Sequence, residues 1–268
     1  MHDLDIQIVS TPPRVYLAGR TVPQFAGISG YLAYRGATWN TDPLDDDAEA
    51  VIEAAGRVCC QSWRNPRGRS RAGYVQQSVI ERRHGSVLEH VWLNFLVADL
   101  PRSVQLELLR HREGTAFSFE SQRFTDRQLR FVAPPAARQD AALMRDFAAT
   151  CVAAARAYRD LLGSLADSMD RRGDYSEDAT LRRTRIREAA RGALPDSVGS
   201  DGMVSINARA LRDIIEMCSR RHADAAVREF ANALFGAAEP VLPSVFADVE
   251  PGEWDLGGRE IAFAASRV

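Results

Sequence analysis

Residues 101–125 read PRSVQLELLRHREGTAFSFESQRFT. The first half has the pattern of a helix: Val104, Leu106, Leu108 and Leu109 are apolar, and Pro101 suits a helix start. Such a helix delivers Arg110, His111 and Arg112 to its C-terminal end. Gly114 then supplies a turn, and a second polar cluster follows at Ser118, Glu120, Ser121, Gln122 and Arg123. Guanidinium groups, an imidazole and hydroxyls in so short a stretch suit an anion. Arginine meets phosphate with a two-pronged, charge-assisted fork, and hydroxyls add short donors. Most Arg-rich stretches are solvated helix faces. This one is interleaved with Phe117, Phe119 and Phe124, which a solvated face seldom carries, so it reads as a site.

The wording RHREGTAFSFESQRF also resembles the signature of the flavin-dependent thymidylate synthases. There an Arg-His-Arg triplet is followed by a serine and, two residues on, an arginine; here these are Arg110, His111, Arg112, Ser121 and Arg123. The interval from Arg112 to Ser121 is one residue longer than the commoner one, and a subgroup worded like RHRAGFAFSQLSQRY shares it. Other blocks stand in the family's order: HGSVLEH from His84 to His90, ARGALP around Arg191, INARALRD around Asn207, and HADAAVRE from His222. The likeness spans roughly residues 45–235.

The resemblance implies an α/β fold, a central sheet flanked by helices, in a homotetramer with shared active sites. It implies reductive C5-methylation of a uridine monophosphate (dUMP to dTMP, or UMP to 5-methyl-UMP). FAD is the implied cofactor, with methylenetetrahydrofolate and NADPH as co-substrates. His90, Trp92, Arg110, His111, Arg112, Asn207, Arg209 and Asp213 fall at flavin positions. Glu107, Arg110, Phe119, Glu120, Ser121, Gln122, Arg123 and Arg191 fall at nucleotide positions, with Ser121, Arg123 and Arg191 on the phosphate. Flavin carries the redox chemistry, and the protein supplies position and charge.

Three departures from the family pattern bear on substrate choice. Phe119 stands where the family has a polar residue, so that contact is lost or moves to Glu120. Trp92 is bulky where the family is small. Cys218 occupies the position of the pyrimidine-activating arginine; Arg221, one turn on along the same helix face, and the adjoining Arg220 are the candidate replacements. These departures leave room for UMP with its 2′-hydroxyl. They also keep open a flavin- and nucleotide-binding homologue without methylase activity.

Composition narrows the other classes. The chain has 268 residues, 46% of them hydrophobic, and a net charge of −2, which suits a globular domain and disfavours a nucleic-acid module. Every one of the 34 cationic side chains is arginine, so no lysine Schiff base is available. Four cysteines with no CxxC pairing suit a reducing, cytoplasmic setting, and Cys59 and Cys60 read as packed thiols. Neither a leader pattern nor an 18-residue apolar run is evident, so no membrane span is expected. His84 and His90 with Glu89 make a poor metal set at that spacing, and no metal is expected.

Read in order, VYLAGR is a strand after Pro12-Pro13. Residues 1–44 otherwise form an N-terminal arm, with 20–44 a loop. Residues 45–236 form the catalytic domain, with helices at 45–58, 72–83, 138–169, 178–192, 207–219 and 222–235. Strands are expected at 91–98, 129–132 and 203–206. Loops or turns are expected at 65–68, 173–177 and 199–202, and residues 237–268 form an irregular tail.

Overall fold

The computed structural model of the chain describes residues 5–40, 47–64, 70–125, 128–173 and 178–266. Its strands are β1 (Ile6–Val9), β2 (Arg14–Arg20), β3 (Trp92–Pro101), β4 (Thr115–Phe119), β5 (Leu129–Val132), β6 (Gly199–Asn207), β7 (Val249–Asp255) and β8 (Gly258–Phe263). Its α-helices are α1 (Phe25–Arg35), α2 (Glu49–Cys60), α3 (Arg71–Tyr74), α4 (Arg102–Leu108), α5 (Pro135–Gln139), α6 (Ala141–Arg171), α7 (Ala179–Ala190), α8 (Ala208–Ser219) and α9 (Ala225–Ala238). A π-helix, Val75–Ile80, and a 3-10 helix, Gly85–His90, precede β3. Four strands pair in the order β2-β3-β6-β4, and β1-β5 and β7-β8 form two-stranded pairs. The fold is α/β, as the sequence implies.

Two compact units interleave along the chain. One holds residues 5–14, 97–109 and 118–202; the other holds 15–96, 110–117 and 203–266. In the first, β1 and β5 run parallel, Ile6 beside Leu129 and Val9 beside Val132. Their inner residues pack with Phe131, Cys151, Ala155, Leu194 and Val198. Asp140 starts α6 by accepting the amides of Ala142 and Leu143. Arg130 reaches Asp99 at 2.9 Å, Asp201 at 3.0 Å and Glu120 at 3.3 Å. This knot holds Asp99 at φ +57°, a backbone position that costs energy for a residue with a Cβ.

In the second unit α8 buries Leu211, Ile214, Ile215 and Cys218 on one face. That spacing is the amphipathic pattern of a helix laid on a core. Arg212 of the same helix is 3% exposed. Its guanidinium bonds Asp248 at 2.7 and 2.9 Å and the Ala265 carbonyl at 3.1 Å, and lies 4.0 Å over the Phe263 ring. One buried cation thus ties both ends of the β7-β8 hairpin to α8.

Several expectations are corrected. Residues 20–44 contain a helix, α1, not only a loop; Gly36 ends it in the left-handed conformation at φ +59°. The C-terminal residues are a hairpin, not an irregular tail. Residues 199–202 are strand, not turn. Gly199 and Gly202 serve close packing there: a Cβ would come within 2.8 Å of Val132 and 2.5 Å of Phe119, respectively. The 72–83 helix is one short α-turn followed by the π-helix. Cys59 and Cys60 are exposed at the end of α2, not packed. The expected loops at 65–68 and 174–177, and the helix start at Asp45, lie outside the described residues.

The Arg212 tie makes a prediction. Arg212→Ala leaves the Asp248 carboxylate buried without its cation and should cost about 3–5 kcal/mol in urea unfolding. A cost below about 1 kcal/mol, the value of an exposed pair, would show that the hairpin is held by something else.

Candidate active site

The site is built on a clasp in the second unit. Gly114 stands at φ +67°, and its carbonyl accepts the amide of Asn207 at 2.9 Å. Asn207 then caps α8, its side-chain oxygen accepting the amide of Ala210 at 2.9 Å. The Asn207 side chain lies against Gly114 where a Cβ would go. Beside the clasp opens a cavity of about 660 Å³ whose lining includes Glu89, Glu113, Arg209, Asp213, Glu216 and Arg220. Arg209 pairs with Glu89 at 2.6 Å, both on the surface. Arg209 and Asp213 stand four residues apart on the face of α8 opposite the buried one. With more carboxylates than cations, the cavity suits the hydroxyls and amino groups of a nucleoside better than its phosphate.

His111 follows α4 with Arg110 and Arg112, both of them exposed. Its carbonyl accepts the Thr115 hydroxyl at 2.5 Å, and its Nε2 lies 3.7 Å from the Cys218 sulfur. The position where the family carries arginine is thus a thiol facing an imidazole, and that thiol is only 5% exposed. Arg221 does not lie one turn along the same helix face. Helix α8 ends at Ser219, and Arg220 is extended at ψ 146°. The chain turns there, so Arg220 lines the cavity while Arg221 leans towards Asp255 at 4.0 Å.

Two flavin candidates stand apart from this cavity. His90 ends the 3-10 helix and lines a separate cavity of about 630 Å³ with Tyr31, Val51 and Trp63. The Trp92 backbone is already taken: its amide donates to the Thr21 hydroxyl at 2.9 Å, and its carbonyl accepts the Thr21 amide at 2.9 Å.

The nucleotide candidates Glu107, Phe119, Glu120, Ser121, Gln122, Arg123 and Arg191 belong to the first unit. Ser121 organises a tight turn: its carbonyl accepts the amides of Phe124 and Thr125 at 3.1 Å, and its hydroxyl accepts that of Arg123 at 3.4 Å. Arg123 pairs with Glu188 at 2.9 Å, the two side chains 40% and 50% exposed. Arg191 starts a short 3-10 turn and makes no ion pair among the described residues. Glu120 is engaged by Arg130, Gln122 lines a cavity of about 220 Å³ with Arg130, and Phe119 lies on Gly202. Sequence reasoning missed Glu113 and Thr21, which hold no motif position, and weighed Glu89 only as a metal ligand; the fold makes it the partner of Arg209.

A family model described as thymidylate synthase complementing protein matches residues 43–244. A flavin-dependent thymidylate synthase of Mycolicibacterium gilvum (strain PYR-GCK) is 38% identical over 215 residues, 79% of this chain and 83% of the relative. One of Mycobacterium avium (strain 104) is 36% identical over 242 residues, 89% and 90% of the two chains. Among solved structures, a UMP/dUMP methylase PolB from Streptomyces cacaoi bound with 5-Br dUMP aligns at TM-score 0.63 and 21% identity, covering 90% of this chain and 96% of that one. Thymidylate synthase X from Helicobacter pylori with FAD and dUMP aligns at TM-score 0.59 and 23% identity, covering 88% and 98%. At those identities the two structures speak for the fold.

The clasp is testable through stability alone. Gly114→Ala adds a Cβ at positive φ, worth about 1 kcal/mol, and presses it onto Asn207 and Ala210. It should cost clearly more than Asn207→Ala, which removes a cap worth about 1 kcal/mol. Equal losses in chemical unfolding would mean that the side-chain packing across the clasp contributes nothing.

Proposed function

The chain belongs to the flavin-dependent thymidylate synthase family, and we propose that it carries out that family's reaction, the reductive methylation of dUMP at C5. The observation that carries the reading is the cavity beside the clasp, where Arg209 and Asp213 share one face of α8 and Arg220, just past the helix end, joins them on the wall. Its donor set fits the nucleoside part of FAD: the Asp213 carboxylate accepts from hydroxyls, and Arg209 offers a planar fork. Bound reduced FAD supplies the hydride and methylenetetrahydrofolate the carbon, with NADPH as reductant. The homotetramer and the cytoplasmic setting belong to the same proposal. Cysteines free of disulfides, Cys59, Cys60, Cys151 and Cys218, agree with a reducing compartment.

Phosphate falls to Ser121, Arg123 and Arg191. The Arg123–Glu188 pair is half exposed, so it is worth at most about 1 kcal/mol and yields readily to a dianion. Uracil C5 becomes nucleophilic as negative charge develops on the ring, and a guanidinium aimed at that charge lowers the barrier. Arg220, on the cavity wall, takes this role rather than Arg221, which leans towards Asp255. UMP joins dUMP as a proposed substrate, on the strength of the departures at Phe119 and Trp92.

The Cys218–His111 contact favours a second reading, in which the Cys218 thiolate attacks uracil C6. Its burial argues against that. Cys218→Ala should retain turnover; complete loss, with FAD and dUMP still bound, would establish the thiol route.

Steady-state kinetics separate the arginines. Arg123→Ala and Arg191→Ala should raise KM for dUMP while still turning over at saturation, because phosphate is held equally in ground and transition states. Arg220→Ala should lower kcat roughly 10²-fold, the usual effect of losing one charge-stabilising donor. Arg221→Ala should change neither. A kcat defect in Arg221→Ala and none in Arg220→Ala would contradict the assignment, and absence of flavin binding to the wild-type protein would overturn the reading as a whole.

A further inference from the structure

In the first unit, the turn that carries Ser121 and Arg123 is closed by its own bonds. The Ser121 carbonyl accepts the amides of Phe124 and Thr125 and also, at 3.1 Å, the Thr125 hydroxyl. Such local bonds shape a turn without aiming it. Its aim is set by Glu120, the residue between β4 and the turn. The Glu120 amide donates to the Asp201 carbonyl at 2.8 Å, and its carboxylate accepts the Asp201 amide at 3.4 Å. The same carboxylate oxygen meets Nη2 of Arg130 at 3.3 Å. Arg130 also donates to Asp201 at 3.0 Å and, through Nη1, to Asp99 at 2.9 Å. Asp201 in turn accepts the Asp99 amide at 3.1 Å. One guanidinium on β5 therefore grips the residue from which the turn hangs.

The knot is also unbalanced in charge. Three carboxylates meet one cation, and the Arg130 and Glu120 side chains are only 19% and 14% exposed. Solvent screens such charges poorly. Glu120 adjoins Ser121, so an uncompensated carboxylate there would repel a phosphate dianion arriving at the turn. An arginine presents several donors in a rigid fork, which lets one side chain hold three acids at once.

We propose that Arg130 is a positioning residue for the uridylate phosphate. By gripping Glu120 it fixes the direction in which the Ser121 hydroxyl and the Arg123 guanidinium point, and it neutralises the carboxylates behind them. It acts without touching the substrate. This rests on the assignment of the phosphate to Ser121, Arg123 and Arg191.

The test uses full-length, FAD-loaded protein and reads the dUMP Kd by calorimetry, KM and kcat by turnover, and the urea midpoint. Arg130→Met keeps a long side chain and removes the cation. It should weaken dUMP binding and raise its KM roughly tenfold, the size of a lost charge-assisted contact. Because a phosphate contact is held equally in ground and transition states, kcat at saturation should stay within about twofold of wild type. Adding Glu120→Gln to Arg130→Met should recover most of the loss, since an amide neither needs the cation nor repels the phosphate. Asp99→Asn keeps a residue that tolerates the left-handed backbone and touches the arm of the knot that does not lead to the turn, so it should bind dUMP as wild type does. A merely structural role would lower the midpoint and kcat together in Arg130→Met and weaken dUMP in Asp99→Asn as well. Should Arg130→Met fail to fold, Arg130→Lys keeps the charge but not the fork, and it should raise KM by a smaller factor with kcat unchanged.

Unchanged dUMP affinity in the folded Arg130 variant, or no recovery in the double variant, would overturn the proposal. Arg123→Ala tells the two failures apart. If it weakens dUMP while Arg130→Met does not, the phosphate assignment stands and the positioning role falls. If Arg123→Ala also leaves dUMP affinity unchanged, the phosphate assignment fails and takes this proposal with it.

Discussion

One backbone hydrogen bond fastens the second unit's chemistry together: the amide of Asn207 donating to the carbonyl of Gly114. It joins the segment leaving α4 to the first turn of α8. Because Asn207 also caps α8, the helix start and its rotation are set by the same residue. Rotation decides which side chains face outward, since residues three and four apart share a face. Arg209 and Asp213 therefore line the cavity, while Leu211, Ile214, Ile215 and Cys218 go into the core; Arg220 reaches the same wall from just past the helix end. The same rotation brings the Cys218 sulfur to His111.

With no lysine in the chain, every cation is a guanidinium, and surroundings alone decide what each can do. Arg130 is saturated by three carboxylates and Arg212 is buried against Asp248, so neither is left for a ligand. Arg123 is held by one half-exposed glutamate, which a phosphate can displace. Arg191 and Arg220 have no carboxylate partner among the described residues. Charge left uncompensated by the fold is what remains for ligands.

Much of this was legible in the sequence. The helix over 102–108 and the turn at Gly114 followed from apolar spacing and glycine, and the helix over 207–219 from its pattern; that Asn207 caps it is visible only in the structure. What was missed has physical causes. Helix α1 carries Gly27 and Gly30, which weaken helix propensity by about 1 kcal/mol each, yet Gly36 terminates it cleanly. The hairpin was hidden by Pro251, Gly252 and the bulge between Pro251 and Trp254, although Gly257 and Gly258 marked its turn. Arg220 and Arg221 were misplaced because a helix pattern does not say where the helix stops, and α8 stops one residue short of them. Asp99 gave no signal at all: a left-handed aspartate looks like any other in sequence.

The central claim is that the cavity beside the clasp holds the flavin nucleotide, and Asp213 tests it most directly. FAD binding should be followed by fluorescence quenching in wild type and in Asp213→Asn, alongside the urea unfolding midpoint of each. The account predicts one FAD per protomer in wild type, affinity at least about tenfold lower in the variant, the usual weight of a charged hydrogen bond, and unchanged midpoints. Equal FAD affinity in the two proteins, with both folded, would place the flavin elsewhere.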